Sequence, residues 1–189
     1  MLFEQDIKNA LPILENGDLI LFPSDTVWAI GCDATNKDAV EKLYLLKQQR
    51  VPENLVVLIH HEQDLLKYTR QQNIRTFDYI KGVHHPTTVV YDDPAGLAEN
   101  IIDLDGTVAI RVVKDDFVSS LIIQFGKPLL SATANQEDHY YPCMFSEIEN
   151  EVLNGVDYVV KYRREETIHH EPSSIIKWNT DGSISILRP

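Results

Sequence analysis

Five consecutive apolar residues, Leu55-Val56-Val57-Leu58-Ile59, follow the helix-breaking Pro52. A strand this short and this apolar buries side chains on both of its faces, so its sheet needs cover on both sides. That demand predicts helices above and below a sheet. The rest of the chain fits the same frame. Leu19 to Phe22, from Asp18, is a short apolar run bounded by Gly17 and Pro23, and Val27 to Cys32 is a second. Thr87 to Tyr91 and Val108 to Val113 are β-branched runs, hence strands. Leu129 to Ala132, Val156 to Val160, Ser174 to Trp178 and Ser183 to Leu187 complete the set. Asn179-Thr180-Asp181-Gly182 joins the last two as a hairpin signal.

Helices lie between these runs. Ile7, Ala10, Leu11 and Leu14 recur at helical spacing, interrupted by Pro12 and stopped by Gly17. Asn36 caps a helix whose periodic face is Ala39, Val40, Leu43, Leu46 and Lys47. Leu65 to Tyr68 and Ile74 to Ile80 are helical candidates. Asp115 or Asp116 caps a helix through Phe125, which Gly126 ends. The two element types mix throughout, with no dividing boundary. The expectation is a single three-layer α/β domain over residues 1–189, with a twisted mixed sheet, a cleft and no second domain. The polar stretch from Gln136 to Asn150 reads as a mobile loop.

Acids outnumber bases by 29 to 17, a formal charge of -12. A phosphate backbone repels such a surface, so broad nucleic-acid coating is excluded unless a groove is locally basic. A few cations in a cleft still suffice for a small anion. Cys32 and Cys143 are too few for a disulfide framework. The first residues carry no basic n-region or apolar h-region, and no apolar run approaches bilayer length. A cytoplasmic protein without a membrane partner is expected.

Three segments carry candidate chemistry. In Pro23-Ser24-Asp25-Thr26, a hydroxyl-rich turn between two strands places Ser24 and Thr26 at a sheet edge. There they can bond a small polar ligand, or simply their own backbone. In Ser131-Ala132-Thr133-Ala134-Asn135, small and hydroxyl residues at a strand exit leave room for an anion, and Ser131, Thr133 and Asn135 alternate. An ordinary strand exit would look the same. Lys47 and Arg50, late in the second helix, can reach a phosphate or serve as solvated cations near a helix C-terminus.

In order and spacing, these segments resemble the YrdC-like family of threonylcarbamoyl-AMP synthases. The family's P-T-D-T-V-Y-G-L-G is matched by Pro23-Ser24-Asp25-Thr26-Val27-Trp28-Ala29-Ile30-Gly31. Its P-L-x-S-T-S-A-N is similar to Pro128-Leu129-Leu130-Ser131-Ala132-Thr133-Ala134-Asn135. Ala109-Ile110-Arg111-Val112, Pro172-Ser173-Ser174-Ile175 and Ile186-Leu187-Arg188-Pro189 match its A-I-R-V, P-S-T-I and I-L-R-P. The resemblance implies condensation of L-threonine, bicarbonate and ATP, with Mg2+, to threonylcarbamoyl-AMP and pyrophosphate. A tRNA-modifying transferase partner would then consume the product. Carried over by position, Lys47 and Arg111 hold phosphates and are the catalytic pair. Thr133, Asn135 and Arg188 bind nucleotide, and Ser24, Thr26, Thr88 and Ser131 bind threonine. No protein metal ligands are expected.

The chain also departs from the family pattern. K-x-R reads Lys47-Gln48-Gln49, with Arg50 about 100° further round a helix. A family lysine falls at Glu53, Tyr-Gly becomes Trp28-Ala29, S-G becomes Glu137-Asp138, and P-G-P-x-T reads His84-His85-Pro86-Thr87-Thr88. Trp28 and Ala29 are both expected to narrow the pocket. An alternative reading is therefore a diverged, altered or inactive paralogue that binds a nucleotide or double-stranded RNA or tRNA. Lys161-Tyr162-Arg163-Arg164 is the basic cluster for such RNA contact, although Glu165 and Glu166 offset it. The pairs His60-His61, His84-His85 and His169-His170 raise a metal reading, but none has helical zinc-site spacing.

Overall fold

The computed structural model describes residues 3–49, 54–70, 79–136, 139–179 and 183–189. In chain order the elements are α1 (Glu4–Glu15), β1 (Ile20–Pro23), β2 (Trp28–Asp33), α2 (Lys37–Lys47), β3 (Val56–Ile59), α3 (Leu65–Tyr68), β4 (Thr87–Tyr91) and β5 (Val108–Val112). Then come α4 (Asp116–Phe125), β6 (Leu129–Thr133), α5 (Asn150–Gly155), β7 (Tyr158–Val159), β8 (Ser174–Trp178) and β9 (Ile184–Arg188). Of the helical candidate from 74 to 80, residues 79–80 are helical, in a stretch running to 82. Its remainder, Pro52 and the hairpin residues Thr180, Asp181 and Gly182 lie outside the described residues.

Among the described residues the strands form one mixed sheet in the order β7-β1-β2-β6-β3-β5-β4-β8-β9. β1/β7, β3/β5 and β4/β8 are parallel, and the other neighbours are antiparallel. The expected α/β domain is therefore observed.

Its two cores follow from the two-residue period of a strand. Ile20, Phe22, Ala29, Leu58 and Leu129 point to one face, where α1 contributes Ile7, Ala10 and Leu14 and α4 contributes Phe117, Val118 and Leu121. Leu21, Trp28, Ile30, Val57, Ile59, Leu130 and Ile110 point to the other, against Ala39, Val40 and Leu43 of α2. β3 thus buries Leu58 on one side and Val57 and Ile59 on the other, as its apolar run requires.

Local chemistry fixes the helix ends. The Asn36 side chain accepts from the amides of Asp38 and Ala39, and Asp115 accepts from Val118. Gly126 ends α4 at φ 74°, in the left-handed region that glycine enters without steric cost. α1 runs through Pro12. A mid-helix proline costs about 3 kcal/mol, and the burial of Ile7, Ala10 and Leu14 offsets it. In the polar 136–150 stretch, Phe145–Glu147 form a single 3-10 turn. The His139 ring pairs with Glu149 at 2.7 Å.

Candidate functional site

α1 and α4 cover only part of their face of the sheet. By alternation from Leu129, residues Ser131 and Thr133 lie on that same face. By alternation from Val108 and Ile110, so do Ala109 and Arg111, and Thr88 and Val90 follow from their pairing with β5. Where the helices stop, the sheet floors a cavity of about 590 Å³. Ala29, Val56, Val90, Ala109 and Ile175 give it an apolar base, and Ser24, Thr26, Arg111, Ser131, Thr133, Asn135 and Arg188 give it polar walls. Short floor residues beneath a few convergent polar groups suit a small polar ligand with an apolar portion.

The turn between β1 and β2 forms one wall. The Ser24 hydroxyl donates to the Val27 carbonyl at 2.9 Å, accepts the Thr26 amide at 3.1 Å and lies 2.9 Å from the Thr26 hydroxyl. Both hydroxyls are buried, so much of their hydrogen-bonding capacity is spent on fixing the turn. Asp25, which the motif did not single out, lies 2.9 Å from an Arg111 guanidinium nitrogen, with both side chains buried. The pair is a charge contact without hydrogen-bond alignment: that Asp25 oxygen and Arg111 Nε have no hydrogen-bond partner. Arg111 also donates to the Thr26 hydroxyl at 3.3 Å. Burial pulls the Arg111 proton affinity down, Asp25 holds it up, and the Arg188 charge pulls it down further.

The exit of β6 forms a second wall. The Thr133 hydroxyl donates to Asn135 Oδ1 at 2.5 Å, and Asn135 Nδ2 donates to the His139 carbonyl at 2.5 Å. Lys47 stands behind this wall and does not line the cavity. It is buried, and its ammonium donates to the Thr133 and Asn135 carbonyls at 2.9 and 2.6 Å and to Asn135 Oδ1 at 3.3 Å. It holds the shape of the β6 exit.

The third wall comes from β8 and β9. Thr88 is fully buried and bonds the Ser173 hydroxyl at 2.8 Å, so Ser173 presents that pair to the cavity. Arg188 donates to the Ser173 carbonyl at 2.9 Å, while burial lowers its proton affinity and Tyr141 raises it. Ser173, His139, Tyr141, Asp103, Asp105 and Lys177 also line the cavity and were not assigned from sequence. Lys177 shares a face with Ile175, a relation that strand period alone supplies.

Trp28 does not narrow this cavity. It faces the α2 side, 5.0 Å from the Phe145 ring centroid, while Ala29 alone of the pair faces the ligand space. In the basic cluster, Arg164 donates to the Val159 and Val160 carbonyls and lies 4.9 Å over Phe145, and Arg163 is bonded internally. His60 pairs with Asp64, and His170 meets Arg163. Among the described residues no three His, Cys, Asp or Glu side chains converge on a metal position, and no helix is long and apolar enough to cross a membrane. Arg50, Glu53, Glu137 and Asp138 lie outside the described residues.

Known proteins match this chain over most of its length. A threonylcarbamoyl-AMP synthase of Vibrio parahaemolyticus is 30% identical over 174 residues, covering 90% of this chain and 92% of that protein. One of Pseudoalteromonas translucida is 28% identical over 160 residues, covering 83% and 86%. The P. abyssi Sua5 structure complexed with L-threonine superposes with a TM-score of 0.86 at 20% identity. That match covers 98% of this chain but 54% of the Sua5 chain, so this chain spans about half its length. E. coli YciO superposes at 0.82 with 19% identity, covering 97% and 88%. These two likenesses establish the fold. The Sua5/YciO/YrdC family model, described as telomere recombination, matches residues 12–189. A match from the last turn of α1 to the final residue leaves no strand of the sheet outside it: the chain belongs to the Sua5/YciO/YrdC family.

Proposed function

We propose that the chain is an L-threonylcarbamoyladenylate synthase-type nucleotidyltransferase, making threonylcarbamoyl-AMP and pyrophosphate from L-threonine, bicarbonate and ATP. The observation that carries this reading is that one cavity gathers Ser24, Thr26, Arg111, Ser131, Thr133, Asn135 and Arg188 on its walls. The curated relatives' name supports the same reading.

The chemistry needs position more than acid–base groups. Bicarbonate gives carbon dioxide with loss of water, and the threonine amine captures that carbon dioxide as a carbamate and loses a proton. A carbamate oxygen then attacks the α-phosphorus, and the bond to pyrophosphate breaks. Holding the two reactants in line and stabilising charge on the phosphoryl oxygens supply most of the acceleration. Arg111 and Arg188 are the two arginines lining the cavity and meet that charge. Burial chiefly, and the Arg188 charge in addition, depress the Arg111 proton affinity; an anion between the two arginines relieves their repulsion. Ser24, Thr26 and Ser131 take the amino acid, with Thr88 acting through its bond to Ser173. Thr133 and Asn135 take the nucleotide on a loop that Lys47 shapes from behind. Lys47 therefore serves phosphate binding through backbone geometry.

Magnesium, when bound, offsets triphosphate charge. With no convergent protein cluster among the described residues, it would enter on the phosphates. The product is a reactive mixed anhydride, so an acyl-accepting tRNA-modifying enzyme is the partner this reading implies. The engagement of Arg163 and Arg164 inside the fold weighs against the alternative of an RNA-binding module. Calorimetry with L-threonine and with ATP tests the site. Saturable heats for both, with the ATP heat lost in Arg111→Met, support the assignment; no heat for either ligand sinks it.

A further inference from the structure

We infer that Arg163 is a positioning residue that sets the geometry of the Ser24–Thr26 wall, and so the affinity for the amino-acid substrate; this rests on the functional reading above. Arg163 does not line the main cavity. Its backbone has φ 63°, in the left-handed region that a non-glycine residue rarely occupies. Such conformations persist where the surroundings over-determine them. Here the surroundings are the whole guanidinium fork. Nε donates to Glu166 at 2.5 Å, and Nη2 meets His170 Nε2 at 2.8 Å. Nη1 donates to the Ser24 carbonyl at 2.9 Å and approaches Asp115 Oδ2 at 3.4 Å. The side chain is only 15% exposed.

These partners belong to different parts of the site. Ser24 opens the β1–β2 turn. Asp115 is the N-cap of α4. Glu166 and His170 lie on the segment that runs into Pro172 and Ser173, which line the cavity. One planar cation thus ties the Ser24 wall to the segment bearing the Ser173 wall. A guanidinium presents five donors in fixed directions, which an ammonium cannot reproduce. The Ser24 hydroxyl in turn holds the Thr26 amide and the Val27 carbonyl. Losing the grip on the Ser24 carbonyl therefore loosens the two hydroxyls assigned to the amino acid, and leaves the Lys47-held nucleotide wall in place.

The test uses Arg163→Gln, with Arg163→Lys as the second variant should the first not fold. Amide hydrogen exchange at Thr26 and steady-state kinetics are measured on the same preparations, with wild type alongside. The expected result is Thr26 exchange at least tenfold faster, and a KM for L-threonine raised at least fivefold, with KM for ATP within twofold of wild type. His170→Gln, whose amide oxygen still accepts from Arg163, stays within twofold on each readout. Unchanged Thr26 exchange overturns the clamp. Faster exchange with an unchanged threonine KM makes Arg163 merely structural and overturns the positioning role. A wild type without threonine-dependent turnover sinks the functional reading instead, and the clamp is then decided by exchange alone.

Discussion

Lys47→Met separates two accounts of the same lysine. A ligand-reaching lysine on a solvated helix end would cost less than about 0.5 kcal/mol to remove. Among the described residues the ammonium instead donates to three oxygens, at 2.6, 2.9 and 3.3 Å. Hydrogen bonds to a charged donor contribute about 1.5–3 kcal/mol each, and a buried acceptor left unpaired costs about 1–3 kcal/mol. Methionine also removes the cost of burying a charge, which offsets several kcal/mol of that loss. The balance is a destabilisation of about 2–4 kcal/mol. For a domain of this size each kcal/mol moves Tm by about 2–4 °C, so the variant melts roughly 5–15 °C lower. Thermal unfolding followed by circular dichroism, with no nucleotide present, reads this directly. A Tm within 1 °C of wild type, combined with lost ATP binding, would refute the structural role and return Lys47 to direct phosphate contact.

Two further outcomes follow from the same site. Arg111→Met strands the buried Asp25 carboxylate and is expected to cost about 3–5 kcal/mol. Adding Asp25→Asn should restore more than about 1 kcal/mol in a double-mutant cycle of urea melts, whereas strictly additive losses would show that the two charges do not interact. Asp115 is held above its usual titration range, chiefly by burial, against the opposing pull of the Val118 amide and Arg163. Its ionisation therefore disfavours the folded state, and its contribution declines as pH rises through its native titration. Stability of wild type minus that of Asp115→Asn, which keeps a capping oxygen, should fall as pH rises through and above the usual carboxylate range; a rise would reverse the sign of the argument.

Much of the fold was legible because short apolar runs, caps and stops are local signals. Asn36, Asp115 and Gly126 end or begin helices where their side chains and backbone freedom dictate. Sheet order was not legible. β6 inserts between β2 and β3 although some 70 residues separate it from β3 in sequence, about one-third of the chain, and no local pattern encodes such a partner. The site was legible as a set of motifs, but the roles within it depended on direction. Trp28 and Ala29 are adjacent, so a strand must point them to opposite faces, and only Ala29 reaches the cavity. Lys47 shares the spacing of Ala39, Val40 and Leu43, which was the sign that its stem is buried. The bonds of Arg163 join residues far apart in the chain, and composition disguised them as a basic surface cluster.

The most direct test of the central claim is pyrophosphate release from ATP by the purified chain, with magnesium, measured with and without L-threonine and bicarbonate. The account predicts release that requires both. Release that ignores either one, or none from folded protein beside an active relative, would contradict it.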